Sequence, residues 1–115
     1  MNGLSCLSIA GCQVSLDLLE RLTYSRDELP DRLAALVAGS EALGLAVLST
    51  CQRTEVYATW PGEPEDAALL RAIAADRDVP IEVLAAAARV HHGEAAARHL
   101  LRVASGLESF VDRRP

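Results

Sequence analysis

The sequence predicts an α+β domain: an antiparallel sheet with helices packed on one face, in the ferredoxin-like manner. Three observations lead there. Short β-prone runs alternate with helix-period runs in the order β, α, β, β, α, β, α, which suits a split βαβ sheet. The chain is 115 residues and 12.3 kDa, one domain's worth of polypeptide. Half of it is hydrophobic, enough for one core, but only 3% is aromatic, so Leu, Ala and Val are expected to build that core.

Leu4–Ala10 alternates apolar with small residues and stops at Gly11, which reads as a half-buried strand. Leu16–Leu22 is a short helical patch with Ser15 as its cap. Ser25 and Glu28 form a capping box for the next helix, Pro30 falls early in it, and Leu29, Leu33, Leu36 and Val37 recur at helical spacing up to Gly39. Leu43–Leu48 is a buried strand and Thr54–Thr59 an alternating one, closed by Trp60-Pro61-Gly62. Pro64–Ala75 is helical with Leu69, Leu70 and Ile73 on one face, and Pro80–Ala86 is a shorter helix. Ala87–His92 is a last strand, and Gly93 opens a long helix with Ala96, Leu100, Leu101 and Val103 inward. Residues 1–109 form the domain and 110–115 a polar C-terminal tail.

Composition removes several classes. No run approaches the roughly 20 apolar residues of a membrane span. The first residues lack the basic segment of a signal peptide. The net charge is −5, which argues against general affinity for nucleic acid and leaves room for a local contact. All 11 basic residues are Arg; with so much Ala this fits a coding bias. Three cysteines, Cys6, Cys12 and Cys51, with no Cys-x-x-Cys pair read as reduced thiols in the cytoplasm. His91, His92 and His99 give no metal-ligand spacing, so no metal site is expected.

The segment Ser49-Thr50-Cys51-Gln52-Arg53 separates two expected strands and is the place where chemistry is anticipated. A turn at a sheet end meets solvent, and a Cys there meets substrate. A cation two residues away, Arg53, favours a thiolate or binds an anionic ligand. The plainer alternative is a small buried Cys beside a solvated Arg.

Ser49-Thr50-Cys51-Gln52-Arg53-Thr54-Glu55, followed by Val56-Tyr57, resembles the Ser-Thr-Cys-Asn-Arg-Thr-Glu signature of glutamyl-tRNA reductase. The block from Glu94 through His99-Leu100-Leu101-Arg102-Val103-Ala104-Ser105-Gly106-Leu107-Glu108-Ser109 is similar to a second segment of that family. Leu18–Ser25 is similar to a third. The matches run in the family's order and correspond to its N-terminal catalytic domain.

The resemblance implies a function. In that family a Cys thiolate attacks the glutamyl ester of glutamyl-tRNA. NADPH then reduces the thioester to glutamate 1-semialdehyde, the precursor of 5-aminolevulinate in tetrapyrrole biosynthesis. By resemblance Cys51 is the nucleophile and His99 the histidine important for activity. Arg53 binds the glutamate carboxylate, and Thr50, Gln52 and Ser109 contact substrate. Taken alone, His99 reads as a structural histidine and Thr50, Gln52 and Ser109 as turn or helix-end residues.

Departures from the family are also visible. The loop that carries His and Thr in the family reads Gly11-Cys12-Gln13-Val14-Ser15 here, and Gln52 replaces an Asn. No Gly-x-Gly-x-x-Gly pattern occurs, so no NADPH site is expected within the chain, and a separate NADPH-binding or reductase subunit becomes an expected partner. The competing expectations are a non-catalytic binding or regulatory module of tetrapyrrole synthesis and a cysteine hydrolase or transferase for another acyl substrate.

Overall fold

A computed structural model describes residues 3–11, 14–50 and 52–112, with side chains described as far as residue 103. Four strands, β1 (Leu4–Ala10), β2 (Gly44–Ser49), β3 (Arg53–Thr59) and β4 (Arg89–His92), form one sheet in the order β2-β3-β1-β4. All three pairings are antiparallel. This is the expected α+β sheet, with the ferredoxin-like interleaving in which the β2–β3 hairpin lies on one side of β1 and β4 on the other.

The helices are α1 (Leu16–Leu22), α2 (Leu29–Ser40), α3 (Asp66–Arg77), α4 (Ile81–Ala87) and α5 (Gly93–Asp112). The first four pack on one face. Leu19, Leu22, Leu36, Leu69, Ile73 and Leu84 meet Leu7, Ile9, Val56 and Ala58 of the sheet in the main core. The fifth departs from the expected single helical face: it lies on the opposite one, where Ala96 and Leu100 pack against Cys6 and Tyr57. Alternation along β1 and β3 makes this division: Leu7 and Ile9 point to one side, Cys6 and Ser8 to the other. Gly93, the first residue of α5, follows β4 directly at φ 56, a left-handed conformation that a residue with a Cβ adopts at a cost. The chain reverses there and returns across the second face.

Several boundaries shift. The Ser25–Glu28 box forms, with Ser25 N donating to Glu28 Oε2 at 2.8 Å and Glu28 N to Ser25 Oγ at 3.4 Å, but regular helix begins only at Leu29. Gly39 does not end α2. The helix continues to Ser40, and Glu41 takes the left-handed cap at φ 64. Leu101 is not inward as expected; it is 68% exposed, because the face of α5 that meets the sheet is carried by Ala96 and Leu100. α5 continues to Asp112, so residues 110–112 of the expected tail are helical.

The core also holds more aromatic area than composition suggested. Tyr24, Tyr57 and Trp60 are all buried. Each satisfies its polar atom: Trp60 Nε1 donates to Ser5 Oγ at 2.9 Å, Tyr24 to Asp76 Oδ2 at 3.1 Å, and Tyr57 to Glu55 Oε1 at 2.7 Å. The Arg77 guanidinium lies 4.5 Å above the Tyr24 ring, and Asp76 also binds Arg32 at 2.9 Å. Burial, followed by the nearby Asp76 charge, pushes the Tyr24 hydroxyl well above its ordinary range, so it stays a donor.

Candidate functional site

The site is assembled on the α5 face. Register places Ser8 opposite Glu55, Cys6 opposite Tyr57 and Ala10 opposite Arg53, so one side of the β1–β3 pair carries a thiol, two hydroxyls, a carboxylate and a guanidinium. β4 adds His91, opposite Cys6, and α5 adds His99.

Glu55 is the hub. It is wholly buried, yet its carboxylate accepts from Ser8 Oγ at 2.6 Å, His99 Nε2 at 2.5 Å, Arg53 at 3.2 Å and the Tyr57 hydroxyl at 2.7 Å. Burial alone raises a carboxyl's pKa. Here the hydrogen bonds from Ser8, His99 and Tyr57 outweigh it and hold the group below its ordinary value. A carboxylate only accepts, so Nε2 is the protonated nitrogen of His99 in this contact, and Nδ1 is the nitrogen that Glu55 leaves unengaged. His91 stacks on the His99 ring at 4.5 Å, 21° from parallel. Burial, and next the neighbouring His99, lower the His91 pKa, so at neutral pH it is an uncharged plate against His99.

Cys6 is fully buried beside this cluster. Burial pushes its thiol up to about 12. It is therefore a protonated thiol at neutral pH, a poor nucleophile until something displaces its proton. One donor atom each from Cys6, Glu55 and His99 lies within 4.8 Å of the others, although the sequence spacing of the three gave no reason to group them.

The β2–β3 turn is pinned from three sides. Thr50 N donates to Arg53 O at 2.8 Å, and Thr50 Oγ1 accepts from both Gln52 N and Arg53 N at 3.2 Å. Gly11 N donates to Gln52 O at 2.7 Å, and a Cβ on Gly11 would stand 3.0 Å from that same oxygen and 3.0 Å from Leu19. Ser49 Oγ accepts from Tyr24 N at 3.0 Å and pairs with Thr54 Oγ1 at 2.9 Å.

Of the residues singled out in the sequence, Arg53 and His99 come together on one carboxylate, and Thr50 and Gln52 lie in the adjoining turn. Gln52 is exposed and Arg53 partly so. Cys51, Cys12 and Gln13 lie outside the described residues, and Ser109 falls within α5 beyond the described side chains. Sequence reasoning missed Glu55 as the organising group, and with it Ser8, Tyr57, Cys6 and His91. One signal was present: a Glu between Thr54 and Val56 in an alternating strand. The partners of that Glu needed the register.

An α+β domain with a buried acid–histidine–arginine centre beside a pinned hairpin turn is thereby defined. The chain matches the family described as glutamyl-tRNAGlu reductase, N-terminal domain, over residues 7–112, and it belongs to that family. It is 46% identical over 111 residues to glutamyl-tRNA reductase 2 of a Nocardioides species, covering 96% of this chain and 25% of that protein. It is 35% identical over 92 residues to the glutamyl-tRNA reductase of Hahella chejuensis, covering 80% of this chain and 22% of that protein. Among solved structures, the glutamyl-tRNA reductase of Methanopyrus kandleri superposes with a TM-score of 0.62 at 30% identity, covering 94% of this chain and 23% of that one. The chain thus spans about a quarter of the length of these relatives.

Proposed function

We propose that this domain carries out acyl transfer from glutamyl-tRNA to Cys51. The thiolate sulfur bonds to the ester carbonyl carbon, the bond to the ribose oxygen breaks, that oxygen takes a proton, and a glutamyl thioester remains on the protein. The observation that carries this reading is the shared carboxylate: Arg53 and His99, assigned to substrate by resemblance, are both tied to Glu55 Oε2 next to the turn that contains position 51.

Each assigned residue has a physical task. Arg53 offers a planar fork to the substrate's side-chain carboxylate. Glu55 fixes His99 with Nε2–H donating, so Nδ1 is left as a lone-pair acceptor, the atom able to take the thiol proton as Cys51 becomes a thiolate. Thr50 holds the turn by accepting two backbone amides, and Gln52 offers an exposed amide to substrate. Ser109 is assigned as a further substrate contact on α5.

NADPH, the reductant in the family, does not fit this chain's residues. A dinucleotide site uses a Gly-rich turn from a parallel strand into a helix, and every strand pairing described here is antiparallel. The hydride-transfer half of the reaction is therefore assigned to protein outside these 115 residues. The test is intact-mass and peptide analysis after mixing with glutamyl-tRNA and quenching in acid. A glutamyl adduct confined to the Cys51 peptide supports the reading. An adduct on Cys6 or Cys12, or none in the folded protein, contradicts it.

A further inference from the structure

We propose that Cys6, Glu55 and His99 form a binding site for one borderline-soft divalent cation, with zinc as the type ion. The three donors come from β1, β3 and α5, so the fold itself brings them within 4.8 Å. Sulfur, carboxylate oxygen and imidazole nitrogen together suit zinc, and three protein ligands leave a fourth tetrahedral position for water. Cys6 and Glu55 are sealed from solvent, while the His99 side chain is 17% exposed and gives the ion its way in.

The surroundings resemble a supporting shell. Ser8 holds one carboxylate oxygen of Glu55 and Tyr57 the other. Binding balances simply. The metal–sulfur bond replaces the S–H bond and one proton leaves to solvent. Glu55 is already a carboxylate. His99 gives up its Nε2 proton and gains one on Nδ1, then binds the metal through Nε2. The 2.5 Å contact between His99 and Glu55 must open to roughly 3.3 Å, the spacing two ~2.0 Å bonds require at a tetrahedral angle. Arg53, whose side chain is 36% exposed, turns its guanidinium to water as the cation enters. Metal and the His99–Glu55 hydrogen bond therefore exclude each other.

The test titrates the chain with zinc by calorimetry and with cobalt(II) by absorption. The expected result is one ion per chain and a thiolate-to-cobalt charge-transfer band. That band is lost in Cys6→Ser and kept in Cys12→Ser and Cys51→Ser. His99→Ala, a change on a partly exposed helix face, is expected to weaken binding at least about tenfold. Should Cys6→Ser fail to fold by circular dichroism, His99→Ala decides alone. No binding, a band that survives Cys6→Ser or vanishes in Cys51→Ser, or unchanged affinity in His99→Ala overturns the proposal.

Discussion

A carboxylate sealed from water destabilises a fold unless every lone pair finds a donor, and Glu55 finds Ser8, Tyr57, Arg53 and His99. Replacing it with Gln removes the charge and turns two acceptor positions into donors facing other donors. Glu55→Gln is expected to cost about 1–3 kcal/mol, measured by urea denaturation. The pH dependence has a defined sign. The folded pKa of Glu55 lies below its ordinary 4.5, so its contribution is complete above that value and is lost as pH falls through the lowered folded one. Acid titration of the wild type should show this loss, and Glu55→Gln should show a shallower one; identical acid profiles would contradict the assignment. Cys6 behaves oppositely. With its pKa raised from 9.0 to about 12, its preference for the thiol stabilises the fold below pH 9.0 and fades as pH rises toward 12. Iodoacetamide at mildly alkaline pH should therefore spare Cys6 in the native protein and label it once unfolded. Native labelling of Cys6 as fast as that of Cys51 would contradict this.

At the scale of elements, the β2–β3 hairpin depends on contacts from outside itself. Gly11 reaches the turn only because it has no side chain. Gly11→Val must push against Gln52 O and Leu19, and is expected to loosen the turn and lower thermal stability by about 1–3 kcal/mol, the range for overpacking. Hydrogen exchange at the Gly11 amide should rise in parallel, and an unchanged rate would show that the contact does not hold the turn. On the other face, Leu36, Leu69 and Ile73 are each about 1% exposed, and truncating any one to Ala should cost roughly 2–5 kcal/mol by denaturant titration. These elements differ in how legible they were. Leu4–Ala10 and Leu16–Leu22 have the expected bounds because local period and a capping Ser mark them directly. The end of α2 was misplaced because Glu41, not a Gly, takes the left-handed cap. Leu101 was placed inward because period alone names an apolar stripe, not the width of it that a neighbour covers.

At the scale of the molecule, chain order and antiparallel pairing were legible, since alternating short strands and helices admit few arrangements. The placement of α5 on the second face was not, because it depends on one positive-φ Gly at the β4–α5 junction. That placement makes the candidate site, by laying His99 over a carboxylate 44 residues away in sequence. Arg53, Thr50 and Gln52 were legible through motif resemblance. Glu55's role was not, because a charge in a strand acquires its meaning from the strands and helix on either side. No described helix is long and apolar enough to cross a membrane. The domain spans about a quarter of its relatives, and the proposed acyl transfer is the half of the reaction that needs no NADPH. The most direct measurement is release of glutamate from glutamyl-tRNA by the purified chain without NADPH, with Cys51→Ser as control. Cys51-dependent release is expected, as the thioester forms and hydrolyses. A folded protein that releases nothing, or releases glutamate equally well as Cys51→Ser, would contradict it and favour a binding module over a catalyst.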